Sequence, residues 1–298
     1  MSKKHKTTAD GVRRVDFTEL CSFILCKRKW YTRHILNLIP RTPRPPLSFG
    51  VALHEAWDTM YQTEFDFDAV MARWKELEFE EDVKRTKFTG ELILKAYYKK
   101  YKDQCSYMKA IHHEVIWELP FNQLVLCGRM DRIVEWQGGL WVMDHKTTSR
   151  LGASYFEQYN PHAQVTMYLY AAQQYFGVEK VRGFIVDAAF VGKSNKNQRD
   201  IITMTQVEID ERMDEILTHA YELITVEKAL EQKPEAWKTI CPRAMITEAC
   251  SAWGACEYRD LCRYGFDPKF MKTQFKEDFW TPAGGSADVP LEVDKKHE

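Results

Sequence analysis

The chain has 298 residues, enough for one large domain or two small ones around a sizeable core. Hydrophobic residues make up 45%, charged residues 29%, and the formal net charge is −1. That balance is ordinary for a globular protein and carries no global basic signal for nucleic acid, which leaves binding through local patches. Such patches stand in KRKWYTR (27–33), RTPR (41–44) and KAYYKKYK (95–102). Taken singly, each reads first as a solvated helix face. In the first and third, aromatics interleave with the cations, as stacking on bases requires. No stretch approaches the ~20 apolar residues of a membrane span. The opening MSKKHKTTADG lacks an apolar core, so no signal peptide is expected. A cytoplasmic setting follows as an expectation, in a bacterial, archaeal or virus-infected cell. There the eight cysteines stay reduced, and those that group together favour metal or cluster ligation.

In chain order, residues 1–14 are expected to lack structure. A helix is predicted from Asp16 to His34, with Phe17, Leu20, Phe23 and Ile24 on its turns. The Pro-rich NLIPRTPRPPL excludes helix, and Ser48 is the candidate cap of the next one, SFGVALHEAWDTMYQ. Residues 67–108 read as further amphipathic helix. The pattern then turns to strands: HHEVIWELPF, QLVLCGRMDRIVEW and GLWVMDHKT, with Gln137-Gly138-Gly139 as a hairpin turn. PHAQVTMYLYAAQQYFG is a helix with Pro161 at its start and Gly177 as C-cap. KVRGFIVDAAFV and DIITMTQVEI are strands, ERMDEILTHAYELITVEKALEQ a long helix, and 233–275 irregular and cysteine-bearing. The tail from Pro282 reads as disordered. The order predicts an α/β core sheet behind a helical arm and ahead of a cysteine-rich cap.

The chemistry concentrates in GRMDRIVEWQGGLWVMDHKTTS (128–149). Side chains at i and i+2 of a strand share a face, so Asp144 and Lys146 point together and His145 turns away. Antiparallel pairing across the turn brings Asp131 close to Asp144. Two carboxylates held that close repel unless a cation stands between them. A hard divalent metal fits, bound by carboxylates, a backbone carbonyl and waters. Lys146 then orients or deprotonates a water, or stabilises charge on a phosphoryl group. A salt-bridged surface hairpin is the competing reading of these three residues alone.

Gly128-x-x-Asp131 followed by Asp144-His145-Lys146 resembles the G-x-x-D and (D/E)-x-K motifs of the PD-(D/E)XK nuclease superfamily. Gly50-x-x-x-His54 resembles the upstream motif of its RecB-type members, Glu114 stands where they carry a glutamate on the first core strand, and Gln164-x-x-x-Tyr168 matches their motif on the following helix. These matches run in family order from residue 50 to 168, with His145 where the family often has tyrosine. The resemblance implies a restriction-endonuclease-like core, a mixed central sheet flanked by helices. It divides the chain into a helical arm (15–110), a nuclease core (111–232), a cap (233–278) and a tail (279–298). It further implies a magnesium or manganese ion held by Asp131, Asp144, the carbonyl of His145 and His54. Lys146 becomes the catalytic lysine, Gln164 and Tyr168 position DNA or that lysine, and Glu114 reaches the metal or braces a cation.

The cysteines extend the resemblance. Cys250, Cys256 and Cys262 repeat at an even spacing that fits zinc poorly, since zinc sites usually pair cysteines two to four residues apart. Some RecB-type nucleases, including AddB-type proteins and the nucleases of CRISPR adaptation, hold a [4Fe–4S] cluster with one N-terminal and three C-terminal cysteines. CKRKWY and CEYRDLC resemble their motifs. Cys26, Cys250, Cys256 and Cys262 are therefore the implied ligands, with Cys21 and Cys241 as alternates and Cys105 and Cys127 structural. Gly192-Lys193-Ser194 is not a P-loop, because Asp187 stands where its first glycine belongs. No ATPase is expected in this chain, which leaves room for a helicase or recombination partner. The resulting expectation is a metal-dependent DNA nuclease acting on single strands or ends in recombination, repair or phage and CRISPR processing. The rival is a non-catalytic DNA-binding or partner module that kept the fold.

Overall fold

A computed structural model describes residues 6–9, 11–150, 152–192, 196–251 and 255–281. Residues 1–5, Lys193, Ser194 and the tail from Pro282 fall outside them, and with them parts of the expectations on the termini and the P-loop decoy. Strand β1 (Arg13–Asp16) opens the fold, and Asp16 caps α1 (Phe17–Leu25) by accepting from the Glu19 amide. Structure thus begins before residue 15. Arg13 pairs with Glu19 and Glu227, and Arg14 with Glu118, which holds this stretch in place. The single helix expected over 16–34 is broken at Cys26, which is extended and separates α1 from α2 (Lys27–Trp30) and a π-turn (Tyr31–Ile35). The reason is tertiary: the Arg28 amide donates to the Pro242 carbonyl, and its guanidinium to the carbonyls of Cys241 and Lys238.

After β2 (Leu38–Pro40) comes α3 (Pro45–Gln62), which starts ahead of Ser48. Prolines in a first helical turn sacrifice no hydrogen bond, and the Ser48 hydroxyl instead accepts from the Glu80 amide. The expected helix over 67–108 is two, α4 (Phe67–Glu76) and α5 (Lys87–Tyr101), capped by Asp66 and Thr86. Strands β3 (Met108–Phe121), β4 (Leu124–Trp136) and β5 (Gly139–Thr148) follow. Helices α6 (Ala153–Phe156) and α7 (Ala163–Phe176) lead to β6 (Val181–Phe190) and β7 (Asn197–Ile202). The expected strand DIITMTQVEI ends at Ile202, and α8 (Gln206–Gln232) begins earlier than Glu211. A capping box does this: the Thr205 hydroxyl accepts from the Glu208 amide, and the Glu208 carboxylate accepts from the Thr205 amide. Short α9 (Trp237–Ile240), α10 (Arg259–Tyr264), α11 (Pro268–Gln274) and β8 (Phe275–Glu277) complete the chain.

The described residues form two compact units, one drawn from 6–42, 117–128 and 211–281, the other from 43–116 and 129–210. In the first, β1 runs parallel to the start of β4, from Arg13↔Leu124 to Asp16↔Cys127. There β2 pairs antiparallel with β8, which joins the two ends of the chain beside a small core of Tyr258, Leu261 and Phe275. In the second, the rest of β4 pairs antiparallel with β5, β5 parallel with β6, and β6 antiparallel with β7. This is a mixed sheet with helices against it, as an α/β core requires. Phe49, Leu53, Trp57, Trp74, Ile93 and Tyr97 from the helices pack with Val134, Met143 and Ile185 from the strands. Among the described residues no helix is long and apolar enough to cross a membrane.

Candidate active site

Trp136 pairs with Gly139, so the turn between β4 and β5 is the two residues Gln137 and Gly138, both left-handed with φ of 50° and 72°. That geometry matches the twist of the flanking strands and fixes their register. The ladder from Trp136↔Gly139 to Arg132↔Met143, carried one step on, sets Asp131 opposite Asp144. At that step the Asp131 side chain takes over from the backbone: Oδ2 accepts from the His145 amide at 2.7 Å.

His54 reaches Asp131 from α3, its Nδ1 3.3 Å from Oδ2. Gly50, one turn earlier, explains the approach: a Cβ there would stand 3.2 Å from the Thr147 hydroxyl of β5. Across the hairpin, the Lys146 ammonium pairs with Asp144 Oδ2. From the first turn of α7, Gln164 ties the two together. Its Nε2 donates to Asp144 Oδ1, and its Oε1 accepts from Lys146, each at 3.2 Å. One turn on, the Tyr168 hydroxyl donates to the Arg129 carbonyl at 2.7 Å, which holds β4 just ahead of Asp131. Glu114 pairs with Arg129 at 2.9 Å, so it braces a cation here. Its φ of 47° is a strained value for a side chain other than glycine.

Burial alone would raise Asp131, but the His54 imidazole and the His145 ring, its Nδ1 3.7 Å from Oδ2, outweigh it and hold it well below the usual carboxylate range. Asp144 moves the other way, raised by burial and by the Asp131 charge against the pull of Lys146. Burial disfavours charge on Lys146 and His54 too, yet the carboxylates win and raise both. The site is therefore a set of internal ion pairs. Among the described residues no three His, Cys, Asp or Glu side chains already converge as metal ligands. The donor chemistry nevertheless fits a hard divalent cation. The Asp131 and Asp144 charges act on each other at the end of the hairpin, and Asp144 Oδ2, though ion-paired, is buried and accepts no well-directed hydrogen bond.

Sequence reasoning missed two features. The His145 ring does turn from the Asp144 face, but into a buried polar cluster, stacked 4.8 Å from Trp57 with Nε2 3.2 Å from the Tyr97 hydroxyl. Beside Gln164, His162 Nδ1 accepts from the Gln164 amide, and its ring continues a row of Tyr155 and Tyr159. The signal for that row was the i, i+4 tyrosine pair in SYFEQYNPH.

Cys26, Cys241, Cys250, Cys256 and Cys262 lie far from these residues in sequence and in the other unit. Cys26, Cys250, Cys256 and Cys262 are half-buried thiols, Cys241 and Cys127 buried ones, Cys21 exposed, and none is in a disulfide. The Cys105 side chain lies outside those described. The Cys256 amide donates to the Cys250 carbonyl at 2.9 Å. Burial pushes the Cys262 thiol up; Arg28 pulls it back, and Cys256 and Cys26 are near enough to push it further. Cys256 is raised by burial and feels Cys250 in turn. The four thiols share a neighbourhood without forming a converged ligand set among the described residues.

Residues 15–263 match the family model for the PD-(D/E)XK nuclease superfamily. Among solved structures, the chain is similar to a protein from Eubacterium rectale whose name marks it provisionally as an exonuclease. The TM-score is 0.51 at 12% identity, over 90% of this chain and 93% of that one, a likeness of fold. A second, SSO0001, gives a TM-score of 0.28 at 13% identity over 68% and 87%, too low to carry an argument. No curated protein matches the chain.

Proposed function

The chain belongs to the PD-(D/E)XK nuclease superfamily, and from that premise we propose that it is a magnesium- or manganese-dependent deoxyribonuclease working on single-stranded DNA or DNA ends. The observation that carries the reading is the hairpin whose register, one step past Arg132↔Met143, brings Asp131 to Asp144, with Lys146, Gln164 and His54 bonded around them. Asp131, Asp144, the His145 carbonyl and His54 would hold the ion. When bound, such an ion lowers the pKa of a water and stabilises charge on a phosphoryl oxygen. The protein's own part is electrostatic and positional. Lys146, paired with Asp144 and held by Gln164, would orient or deprotonate an attacking water, or stabilise charge on the phosphate. Gln164 sets the lysine's reach, and Tyr168 keeps β4 in line through the Arg129 carbonyl.

The preference for ends draws on the name of the Eubacterium rectale protein and on the RecB-type resemblance. Linear and covalently closed single-stranded DNA, each incubated with magnesium, test it. An end-dependent enzyme degrades the linear form and spares the circle. Degradation of both rejects the exonuclease reading, and binding without cleavage under any metal favours the non-catalytic module.

A structural [4Fe–4S] cluster on Cys26, Cys250, Cys256 and Cys262 is the finer part of the proposal, supported by their shared neighbourhood. It would clamp the first unit's two chain ends together, and no chemical step depends on it. Iron and sulfide analysis of anaerobically purified protein tests it; stoichiometric zinc without iron would reject it.

A further inference from the structure

Behind the hairpin lies a polar row that the proposed mechanism does not use. His145 pairs in register with Asp187 of β6, and Asp187 with Arg199 of β7, so three charged or titratable residues cross three strands at one level. The row runs from the backbone of the candidate site into the core, and its members touch. Arg199 Nε donates to Asp187 Oδ2 at 2.7 Å. His145 Nε2 stands 3.5 Å from the same oxygen. The Tyr97 hydroxyl from α5 donates to Asp187 Oδ2 at 2.5 Å and takes a bond from Arg199 Nη2 at 2.7 Å. Tyr61 and Gln104 close the far side: the Tyr61 hydroxyl accepts from Arg199 Nη2 at 2.8 Å and from Gln104 Nε2 at 2.9 Å. His145 and Asp187 are 0% and 1% exposed.

Such a row is costly unless complete, because a buried charge without its partner loses several kcal/mol of solvation. Apolar residues would fill the same space without that cost. What the row supplies is orientation. With Tyr97 donating to Asp187, its oxygen accepts from an Nε2–H of His145, which selects one tautomer and one ring angle. Trp57 stacks on the ring and blocks other rotamers. A fixed ring fixes the peptide of His145, whose amide already holds Asp131 Oδ2 and whose carbonyl is the proposed fourth donor.

We propose that Asp187 and Tyr97 are positioning residues for the metal centre, acting through the His145 ring on the backbone that binds the ion. The inference rests on the metal-dependent reading above. Outer partners of metal ligands typically govern affinity by roughly 10–100-fold. Manganese binding to the full chain, read from free Mn²⁺ by electron paramagnetic resonance, tests the proposal in wild type, Asp187→Asn, Tyr97→Phe and Asp144→Ala, with melting curves for each. Asp187→Asn and Tyr97→Phe are each expected to weaken binding by about tenfold. Tyr97→Phe keeps the Asp187–Arg199 pair and decides the matter if Asp187→Asn does not fold. Unchanged manganese affinity in the folded variants, even with lower melting temperatures, overturns the proposal and leaves the row a merely structural one. If Asp144→Ala also keeps its manganese, the metal reading itself has failed; if only Asp144→Ala loses it, the fault lies with the positioning row alone.

Discussion

One face of β5 carries Asp144 and Lys146, and the other carries His145. On the first, Lys146 is 25% exposed and His54 beside it 32%, and Asp144 lacks a well-directed hydrogen bond on Oδ2. On the second, His145 and Asp187 are sealed and take their partners from the chain, Arg199 and Tyr97 on Asp187 Oδ2 and Tyr97 on His145 Nε2, while Asp187 Oδ1 and His145 Nδ1 have no hydrogen bond among the described residues. Adjacent residues of one strand thus sit in two regimes. A buried row must satisfy itself from the chain, whereas an open one leaves charge for a ligand. The histidines of the two faces show it most plainly. His54 is raised by Asp131 against burial, and His145 is lowered to about 4 by burial and by Arg132.

The largest effect that breaks the comparison is on turnover. Asp144→Ala should cut DNA cleavage by about 10³-fold or more while leaving the fold intact, measured on end-labelled DNA with saturating magnesium. A variant within tenfold of wild type would make the open face ornamental. On the closed face the expected loss is in stability. Arg199→Met strands the buried Asp187 and should destabilise the protein by roughly 3–5 kcal/mol in urea unfolding. A shift under about 1 kcal/mol would mean that water reaches the row.

How far all this was legible follows the range of the contacts. The hairpin was readable because strand period and a Gln-Gly-Gly turn act locally, and together they put Asp131 against Asp144. The helix motif was readable too, since Gln164 and Tyr168 lie one turn apart. The cluster that receives the His145 ring was not, because Asp187 and Arg199 come from two later strands and only the sheet order brings them abreast. The break at Cys26 was hidden for the same reason: the partners of Arg28 lie near Pro242. The start of α8 was a missed local signal, since Thr205-x-x-Glu208 spells a capping box.

Acid and base should act oppositely on the two histidines. His145 has a depressed folded pKa, so the unfolded chain binds its proton more readily. Its contribution is lost as pH falls from 6.5 towards about 4, at a cost of about 2 kcal/mol between pH 7 and pH 5. His54 has a raised one, so its contribution is complete below its ordinary 6.5 and fades as pH rises through the folded value. Urea midpoints of wild type and His145→Gln at pH 7 and pH 5 check the first, with the variant expected to lose less. An identical drop in both would place the acid sensitivity elsewhere. The smallest effect is Tyr168→Phe, which removes the bond to the Arg129 carbonyl and should cost about 1 kcal/mol, again by urea midpoint; no change would free β4 from α7.

The central claim is that Asp131 and Lys146 belong to one metal-dependent catalytic centre. Magnesium-dependent cleavage of labelled single-stranded and duplex DNA by wild type, Asp131→Ala and Lys146→Ala tests it most directly. The account predicts cleavage by wild type alone, abolished by chelation; equal activity in all three would contradict it.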